Sequence, residues 1–476
     1  MIGAQRPLIM LTFFPRQIAS KAIWIYFISL ILVSLAFYRY AMPFGYMCMG
    51  AVEVLGFFLL TAGCSQNWSR LSEREFLSRV FWTAFILRSL GAIFFYYFYL
   101  NHTGTPFEFD SSDASGYHYE AKWLYEEKDW KYIFYYYFTS RDGISDSGYG
   151  LYLTALYKLI GPNIIVARLL KAVYSAITCI LIYKLSARTM DEKTGRLAAL
   201  MCAFMPNFIV YCGLHVKEIE MILLAVAFLE RSDYLLRRKK ITFYSILWPL
   251  LLGASLFFFR TVLGVVAIFS FITALLFSSK KVLSRGRKVI IGVWAIVAIA
   301  VLASGTAMTE IERYLDEGTS NQESMREQQT SRGNQWAQYA TGAVMAPMMF
   351  AIPFSTMVDT GQPNQLILFG GNFVRNFMGF FVLLALYFSI FKYKKWRDFS
   401  LIGSFTIGYL GILSMSGFAN AERFLLPALP GLIVMWAYGI SCLNRKSYRL
   451  LNYWMIVVVL MEVGWAYFKL GSRGLF

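Results

Sequence analysis

Ala22-Ile23-Trp24-Ile25-Tyr26-Phe27-Ile28-Ser29-Leu30-Ile31-Leu32-Val33-Ser34-Leu35-Ala36-Phe37-Tyr38-Arg39-Tyr40 is an apolar and aromatic run in which Arg39 is the only charge. A helix of about 20 such residues crosses the hydrocarbon core of a bilayer. Inside lipid every backbone polar group must be bonded within its own segment, which selects helices over open strands. The same kind of run recurs along the chain. Further segments fall at 44–63, 79–100, 162–187, 196–213, 219–236, 241–259, 262–279, 288–307, 366–391, 399–416, 424–443 and 450–468. That makes about thirteen spans, with ends soft by a few residues.

Composition agrees with this reading. Of 476 residues, 58% are apolar, 18% aromatic and only 15% charged, whereas a soluble domain carries about 25% charged residues. The expected fold is an all-α, polytopic transmembrane bundle. Its parts are 1–78 (a cytoplasmic segment and two accessory spans), a core at 79–306, an outer loop at 307–365 and C-terminal spans at 366–476. Met1 to Lys21 lacks a small-residue cleavage site, so the first span reads as retained, not as a signal peptide. Cys48, Cys64, Cys179, Cys202, Cys212 and Cys442 mostly lie in apolar runs with no CxxC pair, as expected of small buried residues without a disulfide framework.

The formal net charge of +17 raises the question of nucleic acid, and its distribution answers it. Arg237-Arg238-Lys239-Lys240, Lys280-Lys281, Arg285 to Lys288 and Lys392 to Arg397 all fall on one side when the N-terminus is placed in the cytoplasm. The other side is richer in acids. Basic loops stay inside, so the surplus charge faces the anionic lipids of the inner leaflet.

Two outer loops are long, 101–161 and 307–365, and function concentrates in loops carried on a rigid scaffold. The first contains Phe107-Glu108-Phe109-Asp110-Ser111-Ser112-Asp113, followed by a helix pattern in which Tyr117, Ala121 and Leu124 share one face. Asp110 and Asp113 stand at the mouth of the third span. A carboxylate there can act as a general base toward a hydroxyl, or hold a divalent cation beside a phosphate. The plainer alternative is that both acids cap the helix and favour its dipole. Tyr149 to Ile160 reads as a short amphipathic helix. In the second loop, Glu310 to Gln338 is polar, and Met345 to Phe354 suits a segment lying in the outer interface.

Five cations sit near outer span ends: Arg168, Lys217, Arg260, Arg375 and Arg423. Arg holds phosphate oxygens through two parallel bonds and Lys acts as a point charge. Snorkelling toward headgroups is the alternative for each. Glu218 belongs with this set, and pairing with Lys217 is its simplest role. Deeper in the membrane, Glu53 and Arg88 are expected to pair with each other. His102, His118 and His215 have no metal-ligand spacing.

The succession Asp113, Tyr117, Ala121, Leu124, then Gly161-Pro162-Asn163, Ala167-Arg168-Leu169-Leu170, Tyr183 to Arg188, Thr194 to Ala199 and Met205-Pro206 resembles the GT-C-type glycosyltransferases. Glu422-Arg423-Phe424 with Pro427 and Pro430 is similar to the late helix start of such proteins. The likeness covers residues 80–235 well. It implies a bacterial inner-membrane enzyme with an extracytoplasmic active face. It also implies a polyprenyl-phosphate-linked sugar as donor, a glycan, lipid or protein as acceptor, and inversion at the anomeric carbon. The family pattern puts an essential acid in the first outer loop. Asp113 best matches it and Asp110 is the close second. Two spans precede the core, and an adjacent Asp-Glu pair is missing, which leaves the choice of acid and the need for a metal open. The alternatives are a polymerase of lipid-linked repeat units, using Arg313, Arg326 and Arg332 of the second loop, and a flippase or transporter.

Overall fold

The computed structural model describes residues 13–140, 145–238, 241–278, 287–303, 348–415 and 421–475, with the single positions 312, 316, 327 and 331. It is 82% helix, with no strand among the described residues. The helices are α1 (Arg16–Ala36), α2 (Phe44–Asn67), α3 (Glu73–Thr103), α4 (Ser112–Glu126), α5 (Trp130–Tyr135), α6 (Ser147–Ile160) and α7 (Ile164–Thr189). There follow α8 (Glu192–Phe204), α9 (Pro206–Cys212), α10 (Glu218–Arg237), α11 (Phe243–Phe259), α12 (Thr261–Phe277) and α13 (Arg287–Ala303). After the second loop come α14 (Pro363–Ile367), α15 (Phe369–Tyr387), α16 (Ser400–Ser414), α17 (Glu422–Leu425), α18 (Leu429–Ser441) and α19 (Arg445–Ser472).

Local chemistry sets many of the ends. Ser72 and Glu75 form a reciprocal capping box at the start of α3, satisfying two of the donors that a helix start leaves free. Asn163, Asp191 and Asn444 cap α7, α8 and α19 through side-chain oxygens. Gly104, at φ 74°, closes α3 in the left-handed conformation. Pro206 has no N–H to continue the ladder of α8, and the axis bends by 47° between α8 and α9.

Helix covers every segment predicted to span. Among the described residues seven helices are long and apolar enough to cross a membrane, and eight if the bent α8–α9 pair is one span. This set marks a multi-pass membrane protein. The expectation of about thirteen spans is not met by length and hydropathy alone. Helices α11, α12 and α16 are apolar but have 17, 17 and 15 residues. Helix α10 carries Glu218, Glu220, Glu230 and Asp233 along its buried side, a load that only a protein-packed position tolerates.

Helix α7 lies at the centre, packed against α3, α8 and α10. Helix α15 packs on α18, α12 on α16, and α1 on α19. Trp24, Leu35, Trp82, Leu90, Tyr453 and Leu460 point outward from α1, α3 and α19, as residues facing lipid do. In the first loop α4 and α6 form a hairpin. Tyr117 and Ala121 bury against Tyr149, Leu153 and Tyr157, while Leu124 joins Ile133 and Tyr137.

Three expectations are corrected. Arg88 and Glu53 do not pair: Arg88 donates to Ser175 Oγ at 2.7 Å and to the carbonyls of Cys202 and Ala203 at 2.8 and 3.1 Å, and Glu53 accepts from Gly371 N at 2.9 Å. Carbonyls freed near the α8–α9 bend take the role of the missing acid. The part of the Met345 to Phe354 segment that is described, from 348, does not lie in an interface but is inserted into the bundle. Arg375 and Asn376 satisfy the carbonyls of Ala351, Ile352 and Pro353, which removes the cost of burying irregular backbone. Of the cysteines, four are buried, but Cys48 is exposed and Cys64 only partly covered. Arg313, Arg326 and Arg332, with nearly all of Glu310 to Gln338, lie outside the described residues.

Gly439 allows α18 to touch α15, for a Cβ there would collide with the carbonyl oxygen of Phe381. Backbone cannot step aside as a flexible side chain does. Gly439→Ala is expected to cost about 1–3 kcal/mol, read as a lower melting temperature of the detergent-solubilised protein.

Candidate functional site

The site forms where α3 ends and α7, α10 and α17 begin. Its floor is set by the five-residue turn between α9 and α10. Pro206 has bent the chain, and Lys217 and Glu218 are carried into the interior, 2% and 0% exposed. A charge at that depth requires a partner. Arg423, in the first turn of α17, provides it: Nε lies 3.2 Å from Glu218 Oε1 and Nη2 2.6 Å from Asp113 Oδ2. The Glu218 contact is close but not aligned as a hydrogen bond, since neither Glu218 oxygen has a donor among the described residues. It is a charge contact, and Asp113 is the better-formed bond.

Lys217 takes a different partner from the one expected. It forms an ion pair with Asp146 and donates to the carbonyl of Phe259 at 3.0 Å. Asp146, at φ 73° before α6, also accepts from Tyr117 Oη at 3.1 Å. This carboxylate therefore ties the first loop to α10 and to the α11–α12 turn. Burial draws the Lys217 ammonium well below the ordinary lysine range; the nearby Arg260 adds to that and Glu218 opposes it. Arg260 stacks 4.4 Å over the Phe424 ring and donates to Tyr409 Oη at 3.2 Å. Tyr409 in turn donates to the Phe424 carbonyl at 2.8 Å, so Arg260 braces the turn that carries Arg423.

Above these charges opens a cleft of about 180 Å³ lined by Glu108, Asp110, Asp113, Tyr211, Asn364 and Arg423 among others. Asp110, at φ 52° and exposed, forms its lip. Asp113 stands in the first turn of α4 but makes no cap, because its carboxylate is turned to Arg423. Asn364 Nδ2 donates to the Phe109 carbonyl at 2.6 Å, joining the second loop to the first.

Arg168 and Arg375 lie beside the cleft without lining it. Both are fully buried. Arg168 donates to the Pro106 carbonyl, leaving Nε and Nη1 without partners, and it acts electrostatically on Glu108. Arg375 donates to the Ile352 carbonyl at 2.6 Å, with Nε and Nη1 again unpartnered. Below Arg423, Glu422 accepts from the amides of Asn207 and Asn372. His118 Nδ1 lies 2.8 Å from Tyr157 Oη, which lies 3.1 Å from His215 Nε2. Burial lowers both histidines, so this chain is neutral and binds the loop to the α9–α10 turn.

A second cavity, about 550 Å³, runs between α2, α3 and α9. Its walls include Val52, Gly56, Leu90, Phe94 and Ile209, with Glu53 the only charge. Val52, Leu90 and Phe94 are exposed on the outer face of the bundle, so the groove opens sideways. Val210 borders both the groove and the charged cleft. A further cleft of about 450 Å³ lies among Trp68, Asp191, Glu192, Lys193 and Arg196, where Arg196 pairs with Glu192 at 2.8 Å.

Asp113, Asp110, Lys217, Glu218, Arg260 and Arg423 are thus brought together as one cluster, with Arg168 and Arg375 behind it. The sequence reading missed Glu108, Asp146, Glu422, Asn207 and Asn372. Asn207 and Asn372 had a signal, being amides inside apolar runs and next to Pro206 and Gly371. Glu108 had one as well, as an acid between two phenylalanines. Asp146 had none. Among the described residues no three His, Cys, Asp or Glu side chains converge to hold a metal ion. Asp113 is committed to Arg423, and no step is derived through a metal. No family model matches the chain, and no curated protein sequence matches it.

Removing one partner of a buried pair strands the other. Arg423→Ala leaves Glu218 uncompensated and is expected to cost about 3–5 kcal/mol. Asp113→Asn, at a side chain 45% exposed, is expected to cost no more than about 1 kcal/mol. Thermal denaturation of both variants in detergent checks the contrast.

Proposed function

We propose that the chain is a membrane glycosyltransferase that moves a sugar from a polyprenyl-phosphate-linked donor to an envelope acceptor. About thirteen helices span the bilayer, the N-terminus is cytoplasmic, and the cleft opens on the extracytoplasmic side of a bacterial inner membrane. The observation that carries this reading is the shared wall at Val210. A laterally open apolar groove lies on one side of it and a cleft holding three carboxylates and a guanidinium on the other.

A lipid-linked phosphate needs both halves. Lipid tails are as apolar as the groove walls, so seating the isoprenoid chain there rests on packing and not on removal from water, and the groove offers apolar walls from α2, α3 and α9 for it. Its phosphate needs a cation, and Arg423 lines the neighbouring cleft with Nη2 directed at Asp113. In the reaction a first-loop carboxylate accepts the acceptor's hydroxyl proton. The acceptor oxygen attacks the anomeric carbon from the face opposite the phosphate, and the phosphate departs with the bonding pair. Arg423 stabilises the charge that develops on it. Lys217 and Arg260 hold the cleft's shape, since both already have partners. A transporter is expected instead to place its charges at broken helices near the midplane.

Farnesyl phosphate is a soluble probe carrying both halves. Arg423→Lys keeps the charge but loses the fork, and is expected to weaken its binding roughly tenfold while leaving farnesol binding unchanged. A Cβ at Gly56 meets open space, so Gly56→Leu fills the groove without disturbing the helix and is expected to weaken both ligands. Wild-type protein in vesicles is expected to release undecaprenyl phosphate from an undecaprenyl-phosphate-linked hexose. A chain that carries such donors across the vesicle bilayer without releasing the phosphate defeats the reading.

A further inference from the structure

Three carboxylates line the cleft, and their surroundings differ. Asp113 has Oδ2 engaged by Arg423 at 2.6 Å, so only its Oδ1 is left to meet an acceptor. Asp110 is exposed on the lip, where water competes for its oxygens. Glu108 is recessed: its Oε2 is sealed from solvent and has no hydrogen-bond partner among the described residues. The charged and titratable groups around it come from four helices. They are Arg168 and Lys171 of α7, Glu218 at the start of α10, Tyr99 of α3 and Tyr211 of α9. Neither cation reaches ion-pairing distance, and Arg168 keeps two N–H groups unpartnered behind the carboxylate.

Resting on the transferase reading above, we propose that Glu108 is the group that takes the acceptor's proton, while Asp113 orients Arg423 toward the donor phosphate. The acceptor's O–H bond breaks and its proton passes to Glu108. The acceptor oxygen bonds to the anomeric carbon, and the bond from that carbon to the phosphate oxygen breaks, leaving its electron pair on the carrier phosphate. Glu108 then returns the proton to the departing phosphate or to water. Arg168 is the fixed charge that keeps the ionised Glu108 tolerable in a recessed site. Burial pushes the Glu108 carboxyl above the ordinary carboxylate range, and its own N–H, Arg168 and Lys171 draw it part of the way back. That direction suits a base, which works best when its proton affinity is near the ambient pH.

The test has two readouts. Dicyclohexylcarbodiimide modifies protonated carboxyl groups in apolar surroundings. Peptide mass spectrometry of the full-length protein is expected to find the adduct on Glu108, not on Asp110 or Asp113, with less of it as pH rises. In the hexose-release assay, Glu108→Gln is expected to lose roughly 100-fold or more in kcat and the acidic limb of the pH profile. Its farnesyl phosphate affinity is expected to stay within about threefold of wild type, which shows the fold and the donor site intact. Glu108→Asp is expected to restore part of the rate and to shift the limb. An active wild type whose Glu108→Gln variant keeps its rate, with Asp113→Asn losing it, overturns the assignment of Glu108 alone. A wild type that neither binds farnesyl phosphate nor releases the carrier overturns the transferase reading and this assignment with it.

Discussion

A guanidinium between two carboxylates, one buried and one at the surface, organises this protein. Arg423 compensates Glu218 in the interior and reaches Asp113 in the first loop. A charge inside a membrane bundle is costly unless it meets a partner. Glu218 therefore constrains α10, α17 and the loop at once. Lys217 does the same in parallel through Asp146 and the α11–α12 turn. Two adjacent residues in one turn thus hold this end of the bundle, and the cleft is the space between their partners.

The bend at Pro206 is what makes this arrangement available. A straight helix from Glu192 would carry its end past the cleft, and the turn bearing Lys217 and Glu218 would lie elsewhere. The kink also frees carbonyls that Arg88 satisfies, and it presents Asn207 to Glu422. A single missing N–H is thereby linked to a buried guanidinium, a buried acid and the wall of the lateral groove. Val210, one turn beyond the bend, lines both the groove and the cleft. Apolar and charged cavities so close together suit an amphiphilic ligand, and that is the physical content of the lipid-phosphate reading.

Much of this was legible in the sequence. The apolar runs located every long helix, because backbone burial in lipid leaves no other solution. The stripe Tyr117, Ala121, Leu124 gave the buried face of α4, since helical period is local. Of the five cations singled out, Arg423 lines the cleft, Lys217 and Arg260 pair beside it, and Arg168 and Arg375 are buried behind it. What the list lacked was pairing. Lys217 was expected beside Glu218 and instead meets Asp146, because two residues adjacent on one turn point away from each other. Glu53 and Arg88 were expected to pair because both are charges in lipid, yet backbone groups around the bend and at Gly371 had already satisfied them. Only the fold shows that Glu108 is recessed, although its place between Phe107 and Phe109 already set it apart from an ordinary surface acid.

The sequence by itself determined that the chain is a helical membrane protein, where its long helices run and which residues are too costly to bury unpaired. These follow from local quantities: hydropathy over one span, helical period, caps, and the missing N–H of proline. Only the tertiary structure decided who pairs with whom, which acid of the first loop is tied up and which is recessed, and that an apolar groove and a charged cleft share a wall at Val210. Those depend on contacts between residues hundreds of positions apart, such as Asp113 with Arg423, and the energy of a charge pair depends on the distance and burial that folding alone sets.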